Sequence, residues 1–128
     1  MFVLLSFAFA ADPPIPEGCT AEAFPGGLRT LGCDSVVVTW GAGPEHGRQG
    51  ALALADPQLS YAAGAAGREP VTLPGATAAA TVVLTLPGIE ARRVVVGYGA
   101  DWMVTCATVE RSGALARCLD LIVRSAPR

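Results

Sequence analysis

Residues 92–125, RRVVVGYGADWMVTCATVERSGALARCLDLIVRS, decide the fold. Two runs rich in β-branched and aromatic residues, Arg92-Arg-Val-Val-Val-Gly-Tyr98 and Trp102-Met-Val-Thr-Cys-Ala-Thr-Val109, flank Gly99-Ala-Asp101. That arrangement predicts a β-hairpin. Side chains alternate across a strand, so Trp102, Val104 and Cys106 share one face of the second run. After Ser112 the apolar period changes from two to 3.6. Leu115, Cys118, Leu119 and Ile122 recur at i, i+3, i+4 and i+7, which makes one stripe of a helix. Arg111, Arg117, Asp120 and Arg124 fall mainly on its wet side, Ser112 is placed to cap it, and Arg124 suits the negative end of the helix dipole. A helix folding back on the second strand brings Cys118 towards Cys106.

Upstream, Val71-Thr-Leu-Pro-Gly75 recurs thirteen residues later as Leu84-Thr-Leu-Pro-Gly88. Pro-Gly suits the central positions of a type II turn, Pro presetting φ and Gly supplying φ > 0. Two strand–turn units in tandem point to an antiparallel meander. Asp34-Ser-Val-Val-Val-Thr-Trp40 alternates with strand period, Val36, Val38 and Trp40 on one face. Pro25-Gly-Gly27 reads as a turn. Gly41-Ala-Gly-Pro-Glu-His-Gly-Arg-Gln-Gly50 reads as a flexible loop, residues 51–55 as a short strand, and Asp56-Pro57 as a helix start. The expectation is an α+β domain: an antiparallel sheet of four to six strands packed by a C-terminal helix and tied by two disulfides. Val36, Val38, Trp40, Val94, Val96, Trp102 and Val104 are expected to face that helix.

The N-terminus carries a different signal. Residues 1–10 are apolar, and Ala8 and Ala10 fit the small-x-small rule for signal-peptidase cleavage. The run is too short to span a bilayer, which takes about 20 apolar residues. Residues 1–10 are therefore expected to be a signal peptide, 11–18 an extended Pro-rich lead-in, and 19–128 one globular domain. The mature chain is expected in the periplasm or outside the cell, without a transmembrane segment, where thiols oxidise.

Four cysteines, Cys19, Cys33, Cys106 and Cys118, allow three connectivities. Local pairing, 19 with 33 and 106 with 118, is the expectation. Each bond would close a short loop and contribute about 3 kcal/mol. No Cys-x-x-Cys pair occurs, so the spacing fits neither a zinc knuckle nor a thioredoxin-like site.

Composition excludes several chemistries. All nine cations are arginine, so there is no P-loop or Schiff-base lysine. A net charge of −2 argues against nucleic acid, which requires a basic face. The single histidine, His46, sits among glycines and is expected to be a solvated loop residue whose replacement leaves stability unchanged. No serine stands in Gly-x-Ser-x-Gly, and no Asp-x-Asp-x-Asp calcium loop is present. Gly41-x-Gly43-x-x-x-Gly47 has the wrong spacing for a dinucleotide fingerprint. Asp34, Asp56 and Asp101 stand at element edges, where turn and capping roles are usual. Catalytic residues, metal ligands and cofactor contacts are therefore expected to number none. Trp40 and Trp102 are assigned to the core.

The last third resembles a known family. Arg93-Val-Val-Val-Gly97, Asp101-Trp-Met-Val-Thr-Cys-Ala-Thr108 and Ala116-Arg-Cys-Leu-Asp-Leu-Ile-Val-Arg-Ser125 are similar to the end of PsbP/Mog1-like α/β domains, which close with sheet strands and a helix ending hydrophobic-hydrophobic-x-Ser. Similar exported bacterial proteins tie the last strand to that helix through cysteines. The resemblance covers about 35 residues and implies an accessory or partner-binding domain without catalytic residues. The expected function is a small exported accessory or partner-binding protein. The alternative is a small secreted hydrolase or enzyme inhibitor that presents the loop 41–50.

Overall fold

The computed structural model describes residues 15–56, 58 and 67–127. The expected signal peptide, the first half of the lead-in (11–14) and Tyr61 lie outside the described residues. The chain runs β1 (Cys19–Phe24), β2 (Leu28–Cys33), β3 (Val36–Ala42), α1 (Pro44–Ala55), β4 (Glu69–Pro70), β5 (Ala78–Leu86), β6 (Ile89–Gly99), β7 (Trp102–Val109) and α2 (Ala114–Ser125). Seven strands form one antiparallel sheet in the order β1-β2-β3-β7-β6-β5-β4. This is the α+β class expected, with more strands than the four to six anticipated.

Two meanders, β1–β3 and β4–β7, meet where β3 pairs with β7. The turns are the ones the sequence marks. Pro25-Gly-Gly27 joins β1 to β2. Gly75 and Gly88 take φ of 78° and 76°, which a side chain resists and the Pro-Gly turn demands. Asp34 is the described non-glycine residue with positive φ, 58°, in the tight turn between β2 and β3. The lead-in bends just before the domain, where Cys19 N–H donates to Pro16 O at 3.1 Å.

Residues directly opposite across the ladder share a face. The row Leu31, Val38, Cys106, Val95 and Thr81 and the row Trp40, Val104, Gly97 and Ala79 lie on the same side. α2 packs there, burying Cys118, Leu121 and Ile122 against Val38, Val95, Val104 and Cys106. Val94 and Val96 are corrected to the opposite face. The Val-Val-Val run is compatible with either register, and pairing of Val95 with Cys106 selects it. The buried stripe of α2 is also turned towards Leu121, while Leu115 and Leu119 are half-buried. Gly113, not Ser112, is its N-cap, in the left-handed region.

α1 overturns two expectations. The stretch 44–50 is not a loop and 51–55 is not a strand; Asp56 is the C-cap of this helix. Asp56 also keeps the local sign of the expected helix start: its side-chain oxygen accepts from the Gln58 N–H at 2.9 Å, the bond an N-cap makes, and Gln58 is helical, while 57 and 59–66 lie outside the described residues. Pro44 supplies a good first residue. Gly47 and Gly50 cost helix propensity, about 1 kcal/mol each relative to Ala, yet both are required. A Cβ on Gly47 would run into the carbonyl oxygens of Gly99 and Ala100, and one on Gly50 into the Tyr98 side chain. α1 thus lies close on the face of β6 and β7 opposite α2.

The Cys19–Cys33 disulfide expected from spacing is present. It links directly opposed residues of β1 and β2, with Cα atoms 4.2 Å apart. Cys106 and Cys118 are adjacent but are free thiols in the structure, so the second expected bond is not formed there. Among the described residues no helix is long and apolar enough to cross a membrane.

Candidate functional site

An apolar cleft opens where α2 ends over the sheet. Its lining is Trp40, Trp102, Leu73, Pro74, Ile122, Val123 and Ala126, with a volume of about 220 Å³. Trp40 is opposite Val104, two residues from Trp102, so the indoles are diagonal cross-strand neighbours. Their centroids are 5.6 Å apart and their planes tilted by 47°. That is an ordinary favourable aromatic geometry.

Each wall has a sequence cause. Trp40 is fixed from below: its indole N–H donates to Ser125 Oγ at 3.0 Å, and Ser125 Oγ donates to Leu121 O at 2.6 Å. The serine of the hydrophobic-hydrophobic-x-Ser pattern therefore anchors the C-terminus of α2 to β3. The opposite wall is the first Pro-Gly unit. Ala76 N–H donates to Leu73 O at 3.2 Å, closing a turn over residues 73–76. Leu73 drops onto Gly97, where a Cβ would sit 2.7 Å from Leu73 Cδ1. Small residues at Gly97 and Ala79 thus make the hollow that Leu73 partly fills.

Trp40 is almost wholly buried, Trp102 is half-buried, and Val123 at the rim is 49% exposed. The sequence assigned both tryptophans to the core, which holds for Trp40. Trp102 instead forms the floor of an open site. Among the described residues no charged or ionisable side chain lines the cleft. It can remove an apolar group from water.

Several polar groups outside the cleft have structural partners. Arg93 spans Glu110 with Nε at 3.1 Å and Nη2 at 2.6 Å, and its Nη1 donates to Thr81 Oγ1 at 3.2 Å. Asp120 pairs with Arg124 along exposed α2. Arg68 donates from Nη1 to Leu54 O, closing the end of α1. Asp101 accepts the Gly43 N–H through its carbonyl, at 2.8 Å. Among the described residues no group of three or more His, Cys, Asp or Glu is arranged to hold a metal ion.

His46 is not the solvated loop residue expected. It is 8% exposed, in the first turn of α1, with Nε2 2.9 Å from Gly26 O in the β1–β2 turn. Nε2 donates in that contact, because the carbonyl can only accept. Nδ1 is buried without a partner, and the ring lies where a Cβ on Gly41 would be 2.7 Å away. The ring pins α1 to the first hairpin.

Cys106 and Cys118 form the one buried dithiol among the described residues. Their proximity, with the charges of Arg93 and Arg117, holds the Cys118 thiol below its ordinary value. Cys106 is pushed up by the same neighbour and by burial.

No protein-family model matches the chain, and neither a curated protein nor a solved structure is significantly similar to it.

Proposed function

We propose that this chain is a small exported accessory protein that binds a partner protein and has no catalytic activity. The observation that carries the reading is the open apolar cleft paved by Trp40 and Trp102. Its size selects the occupant. At about 220 Å³ it is smaller than the roughly 300–1,000 Å³ of pockets for drug-sized ligands. It suits one ring or aliphatic side chain of an apolar peptide segment. Seating such a side chain is worth about 1.5–3 kcal/mol, so the cleft serves as an anchor within a larger contact.

Export to the periplasm or medium is supported by the apolar leader ending in Ala8-Phe-Ala10 and by the Cys19–Cys33 disulfide. A PsbP/Mog1-like relationship is supported by the quoted segments: adjacent strands β6 and β7, and a helix closing on them whose terminal serine bonds Trp40. The hydrolase or inhibitor alternative loses its main support, because residues 44–50 are helix packed on the sheet and present no loop.

The test is tryptophan fluorescence titrated with acetyl-Ala-Pro-Pro-Ala-amide and acetyl-Ala-Phe-Ala-Ala-amide. A saturable spectral shift is expected with at least one peptide, and Val123→Arg, at the exposed rim, should abolish it without changing the melting temperature. A flat titration with both peptides, or an equal shift in Val123→Arg, would remove the cleft as the binding site.

A further inference from the structure

Two apolar features of this chain lie at opposite ends of β6. At one end is the cleft: its Leu73 wall rests on Gly97, and its Trp102 floor pairs with Gly99. At the other end the β5–β6 hairpin stands clear of the sheet. β7 pairs with β6 from Arg92 onward and its last bond reaches Ala91 O, while residues 85–90, TLPGIE, are all exposed. This tip carries Leu86 and Ile89, which are 53% and 57% exposed. They are directly paired across the hairpin, so both project from one face of it. Pro87-Gly88 makes the turn without help from either, so the fold does not require aliphatic residues there. β6 has eleven residues, which puts the tip about 30 Å from the cleft. A molecule cannot fill its own cleft with its own tip, but a second copy can.

The match is one of size and of charge. A cleft of about 220 Å³ takes one aliphatic side chain, and Ile89 is one presented on a protruding turn. Ile89 is followed by the exposed Glu90, and Val123 at the cleft rim is followed by the exposed Arg124. Arg124 gives its Nε to Asp120, and its two Nη groups have no acceptor among the described residues. A carboxylate arriving beside the seated side chain therefore meets free donors of opposite charge. A lipid surface suits the tip less well, because anionic headgroups repel Glu90 and the cleft is left without an occupant.

We propose that the partner of the cleft is a second copy of this chain, whose β5–β6 tip seats Ile89, backed by Leu86, against Trp102 and Val123 while Glu90 meets Arg124. The inference rests on the partner-binding reading of the cleft and names its occupant. The contact is heterologous: tip and cleft are different surfaces, so each added copy brings one of each and the assembly extends or closes as a ring. One seated side chain is a small anchor, so association is weak and rises with concentration.

The experiment is sedimentation velocity of the purified protein from about 10 μM to about 1 mM, the range in which a weak contact becomes populated. It is run on the wild type, on the double variant Leu86→Ser, Ile89→Ser, which loses the tip, and on Val123→Arg, which loses the cleft. The wild type should shift to dimers and larger species as concentration rises. Each variant alone should associate at least about tenfold more weakly. Their equimolar mixture should form dimers and stop there, because one intact tip and one intact cleft remain, on different molecules. Glu90→Arg should weaken association of the otherwise wild-type chain, and adding Arg124→Glu should restore it. A wild type that stays monomeric at the highest concentration, variants that associate as the wild type does, or a mixture that stays monomeric overturns the proposal. Cosedimentation of a monomeric wild type with vesicles of phosphatidylcholine and phosphatidylglycerol, lost in the double variant, assigns the tip to a lipid surface and overturns it too. The two tetrapeptides are also titrated into the double variant, whose cleft is free. A fluorescence shift there with a monomeric wild type removes only the second copy as the partner, whereas no shift with a monomeric wild type removes the partner-binding reading as well.

Discussion

Replacing a helical glycine with alanine ordinarily stabilises a protein, and at Gly47 the structure reverses the sign. The favourable side is the helix propensity difference, about 1 kcal/mol. The opposing side is steric. The new Cβ would overlap the carbonyl oxygens of Gly99 and Ala100, which are backbone atoms and cannot rotate aside. Relief requires α1 to move off the β6–β7 turn, straining the Gly43 N–H to Asp101 O bond that holds its start. Overpacking of this kind costs about 1–3 kcal/mol, and a backbone obstacle belongs at the upper end. The net expectation is a loss of about 1–2 kcal/mol, the difference between that upper end and the propensity gain. Urea denaturation followed by far-ultraviolet circular dichroism measures it, with Gln49→Ala as the control. Gln49 is exposed on the same helix, and its replacement should stay within about ±0.5 kcal/mol. A raised urea midpoint for Gly47→Ala would refute the close packing of α1, and with it the assignment of residues 44–50 as a docked helix.

The other expected outcomes probe separate joints of the structure. His46→Ala should cost about 1–2 kcal/mol in chemical denaturation, since it deletes the bond to Gly26 O and empties the space beside Gly41; an unchanged midpoint would restore the solvated-loop picture. Ser125→Ala should cost about 1–3 kcal/mol, because the Trp40 indole N–H is left buried without an acceptor, and it should also alter tryptophan emission. Cys19→Ser with Cys33→Ser should lower stability by about 3 kcal/mol on the chain-entropy account, read as a fall in melting temperature relative to the unreduced wild type.

Local signals were legible in the chain wherever one residue's chemistry or a short period suffices. The alternation in β3 and β7, the 3.6-residue stripe of α2, the Pro-Gly turns and the Cys19–Cys33 pairing all follow from neighbours no more than 14 residues apart. The tertiary structure decided the rest. Gly47 and Gly50 read as loop residues because their cost is local, while their benefit is the approach to Tyr98 and Ala100, some fifty residues away. The Val94–Val96 run has no period of its own, and only its pairing with β5 and β7 chooses which valine faces α2. The cleft exists because β3 lies beside β7, which sets Trp40 next to Trp102, and because Leu73 and Val123 close around them from distant segments. A site assembled from contacts of such sequence separation leaves no periodic trace in the chain, since each residue taken alone is an ordinary core residue.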